Sequence, residues 1–170
     1  MQASKDSHRF NSYPRRTRCL PLPLKTVPAK YCITSVQHEK YLGDDQAGGV
    51  LSPYPIVLLD TPILPPKFTV TKSNEINTYT ITVNENMVHN LDDRVISYND
   101  ESTTEWVIIF RQHERAYTIE RKVESSLAWT APELEPDRPS NPLQILLKPL
   151  VCTYSIPPQF LPSQLFKFES

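Results

Sequence analysis

A Tyr-x-Ile triplet that occurs three times restricts the fold of this sequence more than any other feature. The triplets are Tyr31-Cys32-Ile33, Tyr79-Thr80-Ile81 and Tyr117-Thr118-Ile119. In each of them large apolar residues alternate with small or polar ones, which is the period-two pattern of a half-buried strand. No segment carries a sustained helical stripe, because proline or a β-branched run interrupts every candidate. The sequence therefore predicts an all-β protein.

A second pattern, aromatic-x-apolar, follows each Tyr-x-Ile triplet along the chain. Its copies are Phe68-Thr69-Val70, Trp106-Val107-Ile108 and Phe166-Lys167-Phe168. Two further strand-like runs lie between the members of each pair, and these are 40–42 and 56–59, 87–89 and 95–98, and 127–129 and 143–147. The chain is therefore divided into three units of four strands each.

Three related units of this kind can close around one core that no single unit could bury. We therefore expect a β-trefoil of twelve strands in three pseudo-repeats, with six strands in a barrel and six in hairpins that cap one end. Closure of the barrel removes most free sheet edges. We expect Tyr31, Tyr79 and Tyr117 to occupy equivalent positions, and both recurring patterns to line the core.

Residues 1–29 lack this periodicity and differ in composition from the rest of the chain. They contain six basic residues against the single acidic residue Asp6, together with four of the 17 prolines. We predict a disordered basic tail over residues 1–29, dispensable for folding, and one β-trefoil domain over residues 30–170. The alternative interpretation of the tail is a polyanion-binding or targeting arm at Arg15-Arg16-Thr17-Arg18.

The histidines and acidic residues of the sequence form neither a catalytic motif nor the spacing of a metal site. The histidines, at positions 8, 38, 89 and 113, lack the spacing of metal ligands and are interpreted as surface residues. The acidic pairs Asp44-Asp45 and Asp92-Asp93 are interpreted as solvated turn residues. A glycine-rich phosphate-binding loop is not expected, because the sequence contains only three glycines. We expect no catalytic residues, no metal and no cofactor.

The cysteines and the apolar runs bear on where the protein is found. Cys19, Cys32 and Cys152 are odd in number and widely spaced, which favours free thiols over a disulfide framework. No run is long enough for a membrane helix or a secretory signal. We therefore expect a cytoplasmic monomer with reduced thiols and with neither a nucleic-acid nor a membrane partner.

Two segments between the predicted strands are candidates for binding. Residues 43–55 contain every glycine of the chain and end with Pro53 and Pro55, which fix φ. Such a stiff segment on a rigid barrel is a preorganised ligand, although a solvent loop without a partner is the alternative. Residues 154–163 are unusually apolar, and we expect them to pack on the barrel rather than to form an exposed binding patch.

The C-terminal half of the sequence resembles a known protein family. The resemblance rests on Glu105-Trp106-Val107-Ile108, Tyr117-Thr118-Ile119-Glu120, Ala128-Trp129, Leu143-Gln144-Ile145, Lys148-Pro149-Leu150, Pro157-Pro158-Gln159-Phe160 and Gln164-Leu165-Phe166-Lys167-Phe168. In these segments the chain is similar to the fungal β-trefoil serine-protease inhibitors of the cospin type, over about residues 30–169. The resemblance implies a cytosolic fungal defence protein that inhibits trypsin-like proteases through the loop joining its second and third strands.

The family's reactive loop corresponds here to Leu51-Ser52-Pro53-Tyr54, and Ser52 stands at the position that enters the protease S1 pocket. The segment departs from the family pattern because no Lys or Arg occurs between Gly43 and Asp60. An acidic S1 pocket requires a cation, so we expect chymotrypsin or subtilisin to be inhibited better than trypsin. Lys72 and Ser73 are a reserve inhibitory site for trypsin.

Two other functions remain open at the level of sequence. A carbohydrate-binding β-trefoil lectin is one, although the sequence has no Gln-x-Trp motif of the ricin type. A β-trefoil scaffold without inhibitory activity is the other. A protease panel and a glycan array would separate these functions.

Overall fold

The structure is a computed structural model that describes residues 27–46, 53–60, 64–123, 126–134 and 143–170. The described residues form twelve strands and one 3₁₀ turn at Pro162–Gln164. The strands are β1 (Ala29–Ser35), β2 (Leu42–Asp44), β3 (Tyr54–Leu58), β4 (Phe68–Lys72), β5 (Thr78–Val83), β6 (Asn86–Leu91), β7 (Arg94–Tyr98), β8 (Glu105–Arg111), β9 (Ala116–Arg121), β10 (Leu127–Thr130), β11 (Leu146–Pro149) and β12 (Phe166–Glu169). The predicted tail lies almost entirely outside the described residues, and its disorder stays a prediction.

Six of the strands close into a barrel by antiparallel pairing. The pairs run from β1 to β4, β5, β8, β9 and β12 in turn, and β12 returns to β1. The other strands form the hairpins β2–β3, β6–β7 and β10–β11. The all-β class and the barrel with three hairpins agree with the sequence prediction.

In each unit the Tyr-x-Ile triplet and the aromatic-x-apolar triplet lie on neighbouring strands of the barrel, and the three units use the same register. Tyr31 pairs with Phe68, Tyr79 with Trp106, and Tyr117 with Phe166. The three aromatic partners are fully buried, so each pair contributes to the core. Burial raises the pKa of Tyr79 and the pKa of Tyr117, and the nearby Tyr31 phenol raises both further. These registers agree with the predicted equivalence of the three tyrosines.

The hairpins also contact one another and close one end of the barrel. Strand β7 pairs with both β3 and β11, and an isolated bridge joins Val57 to Gln144. Ile145 N donates to Ile56 O at 2.8 Å, and Val95 N donates to Ile145 O at 3.0 Å. Because Ile56, Val95 and Ile145 are fully buried, the hairpin end is packed as part of the core.

The tight turns of the second unit depend on residues that tolerate positive φ. Asn84 and Glu85 join β5 to β6, and Asp92 and Asp93 join β6 to β7, with φ between 47° and 67° at all four positions. Two consecutive residues with positive φ are the pattern of a type I′ hairpin turn, which Asn and Asp accept readily. The prediction of Asp92-Asp93 as turn residues is therefore confirmed.

Strand β9 departs from the expected half-buried pattern. In β9 the polar face is covered as well, because Thr118 and Glu120 are buried beside Arg111. Arg111 Nη2 donates to Glu120 Oε1 at 2.7 Å, and Thr118 Oγ1 donates to the same oxygen at 2.6 Å. These bonds stabilise the fold, because a buried polar group left unpaired costs about 1–3 kcal/mol.

Candidate functional site

The loop between β2 and β3 leaves the barrel from two stems that are held together. Asp44 pairs with Ile56 at the end of the hairpin, and Asp45 N donates to Pro55 O at 3.0 Å. Strand β2 therefore extends further than predicted and β3 begins earlier, so that the loop comprises residues 45–53. Paired backbone on both sides fixes the points from which this loop projects.

Asp44 links the stem of this loop to two other elements. Its Oδ1 accepts a hydrogen bond from Asn84 Nδ2 at 2.7 Å, and its Oδ2 accepts one from Gln46 Nε2 at 2.7 Å. Ser97 Oγ lies 3.5 Å from the same Oδ2, at the limit of a hydrogen bond. The side chain is buried, so the prediction of Asp44 as a solvated turn residue is wrong. Sequence alone missed it because Asn84 and Ser97 lie 40 and 53 positions away along the chain.

Gly43 lies directly beside Asp44 at a close approach between side chains. A Cβ atom at this position would stand 2.8 Å from Leu59 Cδ1 and 3.0 Å from Pro66 Cγ. Both distances are below ordinary van der Waals contact, so even an alanine would push the leucine or the proline away. The stem of the loop therefore packs closely against the segment that follows β3.

The structure separates the predicted reactive segment into two parts. Leu51 and Ser52 lie outside the described residues. Pro53 is exposed just before β3, whereas Tyr54 is the first residue of β3 and is half-buried. Tyr54 pairs with Ser97 of β7, so it belongs to the rigid support of the loop and not to its free part. The protease-binding role expected for Tyr54 stays a prediction.

The predicted reserve site lies at the end of β4 and is also anchored. Lys72 is exposed and pairs with Tyr79, and Ser73 N donates to Thr78 O at 2.8 Å. Lys122 Nζ bridges this turn to β8 through Glu75 at 2.8 Å and Glu105 at 2.6 Å.

These ion pairs change the proton affinities of the groups involved. Hydrogen bonds from Lys122 and then Ser73 hold the pKa of Glu105 below its usual value. The hydrogen bonds that Lys122 donates to Glu105 and Glu75 raise the pKa of Lys122 above its usual value. The turn thus has fixed ends, and at its tip the side chain of Ile76 is exposed.

A buried histidine was not expected from the sequence. His89 is almost completely buried in β6, with Nδ1 2.7 Å from Thr104 Oγ1 and Nε2 3.0 Å from Asp100 Oδ1. Its ring also stacks on Tyr98, with the centroids 4.4 Å apart. Burial lowers the pKa of His89, and the charge of Asp100 opposes that shift. The interpretation of His89 as a surface residue is therefore wrong, and its contacts tie the β7–β8 connection to β6.

The apolar segment 154–163 does not pack on the barrel as predicted. Tyr154 and Ile156 are fully exposed, and the residues around them up to Gln159 are exposed as well. The segment nevertheless has internal hydrogen bonds, which Ser155 and Gln159 make with Pro157 and Thr153. For residues 154–159 the expectation of packing is wrong and the alternative of an exposed patch agrees with the structure, whereas Phe160 is half-buried against Arg111.

The described ranges contain neither a candidate metal site nor a candidate membrane-spanning helix. No cluster of three or more His, Cys, Asp or Glu residues there could hold a metal ion. None of the helices in this part of the chain is long and apolar enough to span a membrane. Of the cysteines, Cys32 and Cys152 are free thiols, and Cys19 lies outside the described residues.

Comparison with known families shows where the chain belongs. Residues 24–170 match the family described as peptidase inhibitor I66. The chain is a member of the peptidase inhibitor I66 family. Membership places it among inhibitors and not among enzymes, and it confirms the resemblance drawn from the C-terminal half.

Solved structures with the same fold include a peptidase inhibitor. The I66 chain superposes on a proteinase inhibitor from Coprinopsis cinerea with a TM-score of 0.72 at 18% identity, covering 86% of this chain and 99% of the other. It also superposes on the Rhizoctonia solani agglutinin with a TM-score of 0.60 at 14% identity, covering 87% and 99%.

A third similar structure is a mosquitocidal holotoxin, with a TM-score of 0.58 at 14% identity. That match covers 84% of this chain but only 16% of the toxin. At these identities the three likenesses show the fold alone. No curated protein sequence matches this chain significantly.

Proposed function

We propose that this I66 protein inhibits serine-type endopeptidases by inserting the loop between β2 and β3 into the active-site cleft. Leu51, Ser52 and Pro53 would contact the enzyme, and Tyr54 would do so from the start of β3. The observation that carries the proposal is the buried carboxylate of Asp44, which ties the loop's stem to Asn84 and Gln46. Family membership supplies the general activity, which is peptidase inhibition.

A loop with fixed stems suits this kind of binding for a thermodynamic reason. Complexes between proteases and inhibitors bury roughly 800 Å² per partner, and ordering a flexible segment would reduce the affinity obtained from that area. The Asp45–Pro55 hydrogen bond and the Asp44–Ile56 pair supply this order before the protease arrives.

The side chains available in the segment favour particular proteases. No Lys or Arg occurs between Gly43 and Asp60, so the segment offers no cation to an acidic S1 pocket. A hydrophobic or shallow S1 pocket accepts Leu51 or Ser52 more readily. We infer that chymotrypsin-like or subtilisin-like enzymes are inhibited better than trypsin, and that the inhibitor acts as a cytoplasmic monomer of a fungal defence system.

The architecture proposed for this function is a β-trefoil of three pseudo-repeats. The matching pairs Tyr31–Phe68, Tyr79–Trp106 and Tyr117–Phe166 support it, as does the closed ring of six strands. Likeness to an agglutinin concerns the fold, and a glycan array that bound this protein would favour a lectin instead.

Paired variants test which loop inhibits. Replacing Leu51 and Ser52 by Gly should raise the inhibition constant at least ~100-fold, because binding energy is concentrated in a few central side chains. Lys72→Ala would have that effect only if the reserve site at Lys72 and Ser73 acts. Leu64→Ala is the matched control, since Leu64 is an exposed apolar residue outside both loops. An unchanged inhibition constant in the double variant would contradict the assignment to residues 51–54.

A further inference from the structure

We propose that the inhibitor carries a second protease-binding loop, residues 153–159 between β11 and β12, whose Tyr154 enters a hydrophobic S1 pocket. The proposal rests on the proposed function, because it takes protease inhibition as the activity. It assigns part of that activity to a different element of the chain, with its own side chains and its own anchors.

The first observation is the exposure of two large side chains at the tip of this loop. Tyr154 is 107% exposed and Ile156 is 100% exposed relative to an extended reference. Exposed apolar side chains are common singly, but two so close together on a projecting loop mark an interaction site more often. Tyrosine is enriched in binding hot spots, because it buries a large area at the cost of only two side-chain torsions.

The second observation is that the loop is held rigid from within. Thr153 N donates to Gln159 O at 2.9 Å, and Gln159 N donates back to Thr153 Oγ1 at 3.0 Å. Ser155 Oγ donates to Pro157 O at 2.8 Å, so its single proton is used there. Thr153 Oγ1, which lies 2.6 Å from Ser155 Oγ, must therefore be the donor of that bond.

These hydrogen bonds have a specific consequence for Tyr154. The residues on both sides of it, Thr153 and Ser155, are joined through their hydroxyl groups, so the peptide segment that carries Tyr154 is fixed. The tyrosine side chain itself remains exposed. Such an arrangement presents one side chain to a pocket at a small cost in conformational entropy.

The third observation is that the base of the loop is bound to the barrel. Phe160 N donates to Glu114 Oε1 at 3.0 Å, and the Arg111 guanidinium stands 4.0 Å from the centre of the Phe160 ring. On the other side, Val151 N donates to Oε1 of the buried Gln164 at 2.9 Å. The loop therefore projects from fixed points, as the loop between β2 and β3 does.

The hydrogen bonds that hold the two loops do not share a residue in the described parts of the chain. The loop between β2 and β3 depends on Asp44 and Asn84, whereas the second loop depends on Glu114, Arg111 and Gln164. We therefore expect a substitution in one loop to leave the other in place.

The chemistry of the segment indicates the class of protease. Residues 150–163 include no Lys, Arg, Asp or Glu, so the loop offers no cation to an acidic S1 pocket. A tyrosine matches the hydrophobic slot of a chymotrypsin-like enzyme. The partner is therefore a serine protease with a deep apolar S1 pocket.

The test uses the full chain and measures inhibition constants for chymotrypsin and trypsin. In the Leu51→Gly, Ser52→Gly variant the remaining inhibition of chymotrypsin should come from the second loop, so adding Tyr154→Ala to that variant should raise the constant for chymotrypsin at least ~100-fold. Tyr154→Lys should instead create inhibition of trypsin, because the fixed segment would then present a cation. Leu64→Ala should change neither constant. Because Tyr154 is exposed, both Tyr154 variants should unfold at the same temperature as the wild type within error.

The outcomes separate this inference from the proposed function. If the Leu51 and Ser52 double variant still inhibits chymotrypsin and Tyr154→Ala does not, the second loop is supported and the first assignment fails. If the Leu51 and Ser52 double variant does not inhibit chymotrypsin at all, or if adding Tyr154→Ala to it leaves its inhibition constant unchanged, the second loop is overturned. If Tyr154→Ala removes the inhibition of chymotrypsin through this loop but Tyr154→Lys does not inhibit trypsin, the placement of Tyr154 in the S1 pocket is overturned.

Discussion

Asn84 donates a hydrogen bond of 2.7 Å to Asp44, although the two residues lie forty positions apart in the sequence. Asn84 has a φ of 47° in the turn between β5 and β6, and Asp44 ends β2. One bond thus joins the stem of the proposed reactive loop to the second unit of the barrel. The support of the loop therefore includes a tertiary contact in addition to the local pairing of its two stems.

Removing this carboxylate should loosen the loop as well as the fold. Asp44→Ala removes the hydrogen bonds that the exposed amides of Asn84 and Gln46 donate to this carboxylate, so we expect the free energy of unfolding to fall by about 1–3 kcal/mol. Inhibition through residues 51–54 should weaken in parallel. Asp60→Ala is the control, because Asp60 is exposed and its pair with Lys40 is worth at most about 1 kcal/mol. Equal effects of the two changes in urea denaturation would refute the role given to Asp44.

The two tryptophans of the core should respond differently to the same substitution. Both are fully buried and stack edge to face, with ring centroids 5.4 Å apart. Trp106 Nε1 donates to Val88 O at 3.1 Å, whereas Trp129 Nε1 has no partner among the residues that the structure describes. We expect Trp106→Phe to cost about 1 kcal/mol more than Trp129→Phe in chemical denaturation. A larger cost for Trp129→Phe would contradict this account.

Stability should depend on pH through His89. Burial lowers its pKa in the folded protein, so the unfolded chain takes up the proton first as the pH falls. The contribution of His89 to stability is thus present above the ordinary histidine pKa of about 6.5, and is lost as the pH falls from there toward the lower folded pKa.

The measurement is the free energy of unfolding at about pH 7.5 and about pH 5.5, on either side of the ordinary histidine pKa. The decrease should be smaller in His89→Gln than in the wild type, and should be kept in His113→Gln, because His113 is exposed. The same decrease in all three proteins would show that His89 is not its source.

Much of the barrel could be predicted from the sequence because its signals are local and repeated. The Tyr-x-Ile and aromatic-x-apolar triplets alternate with period two, and their partners follow from the order of the units. Strand ends were less accurate, since pairing partners decide them. Pro55, for example, lies inside β3 because it pairs with Ile96 of β7. The residues next to Pro55 in the sequence give no sign of this pairing.

The polar residues of the interior could not be found in this way. Asp44, His89 and Glu120 each look like surface residues in the sequence, and each is buried by a partner from another strand or turn. Residues 154–163 show the opposite error, because apolar residues expected to be buried are exposed. Their apolar character suggested packing, yet their own hydroxyl and backbone bonds hold Tyr154 and Ile156 in solvent.

The most direct test of the account is a residual-activity panel of trypsin, chymotrypsin, subtilisin and a papain-like enzyme against the purified full-length protein. We predict strong inhibition of chymotrypsin or subtilisin, weaker inhibition of trypsin, and full residual activity of the papain-like enzyme. Inhibition of the papain-like enzyme alone, or full activity of all four proteases at inhibitor concentrations in the micromolar range, would contradict the claim that this I66 protein inhibits serine proteases.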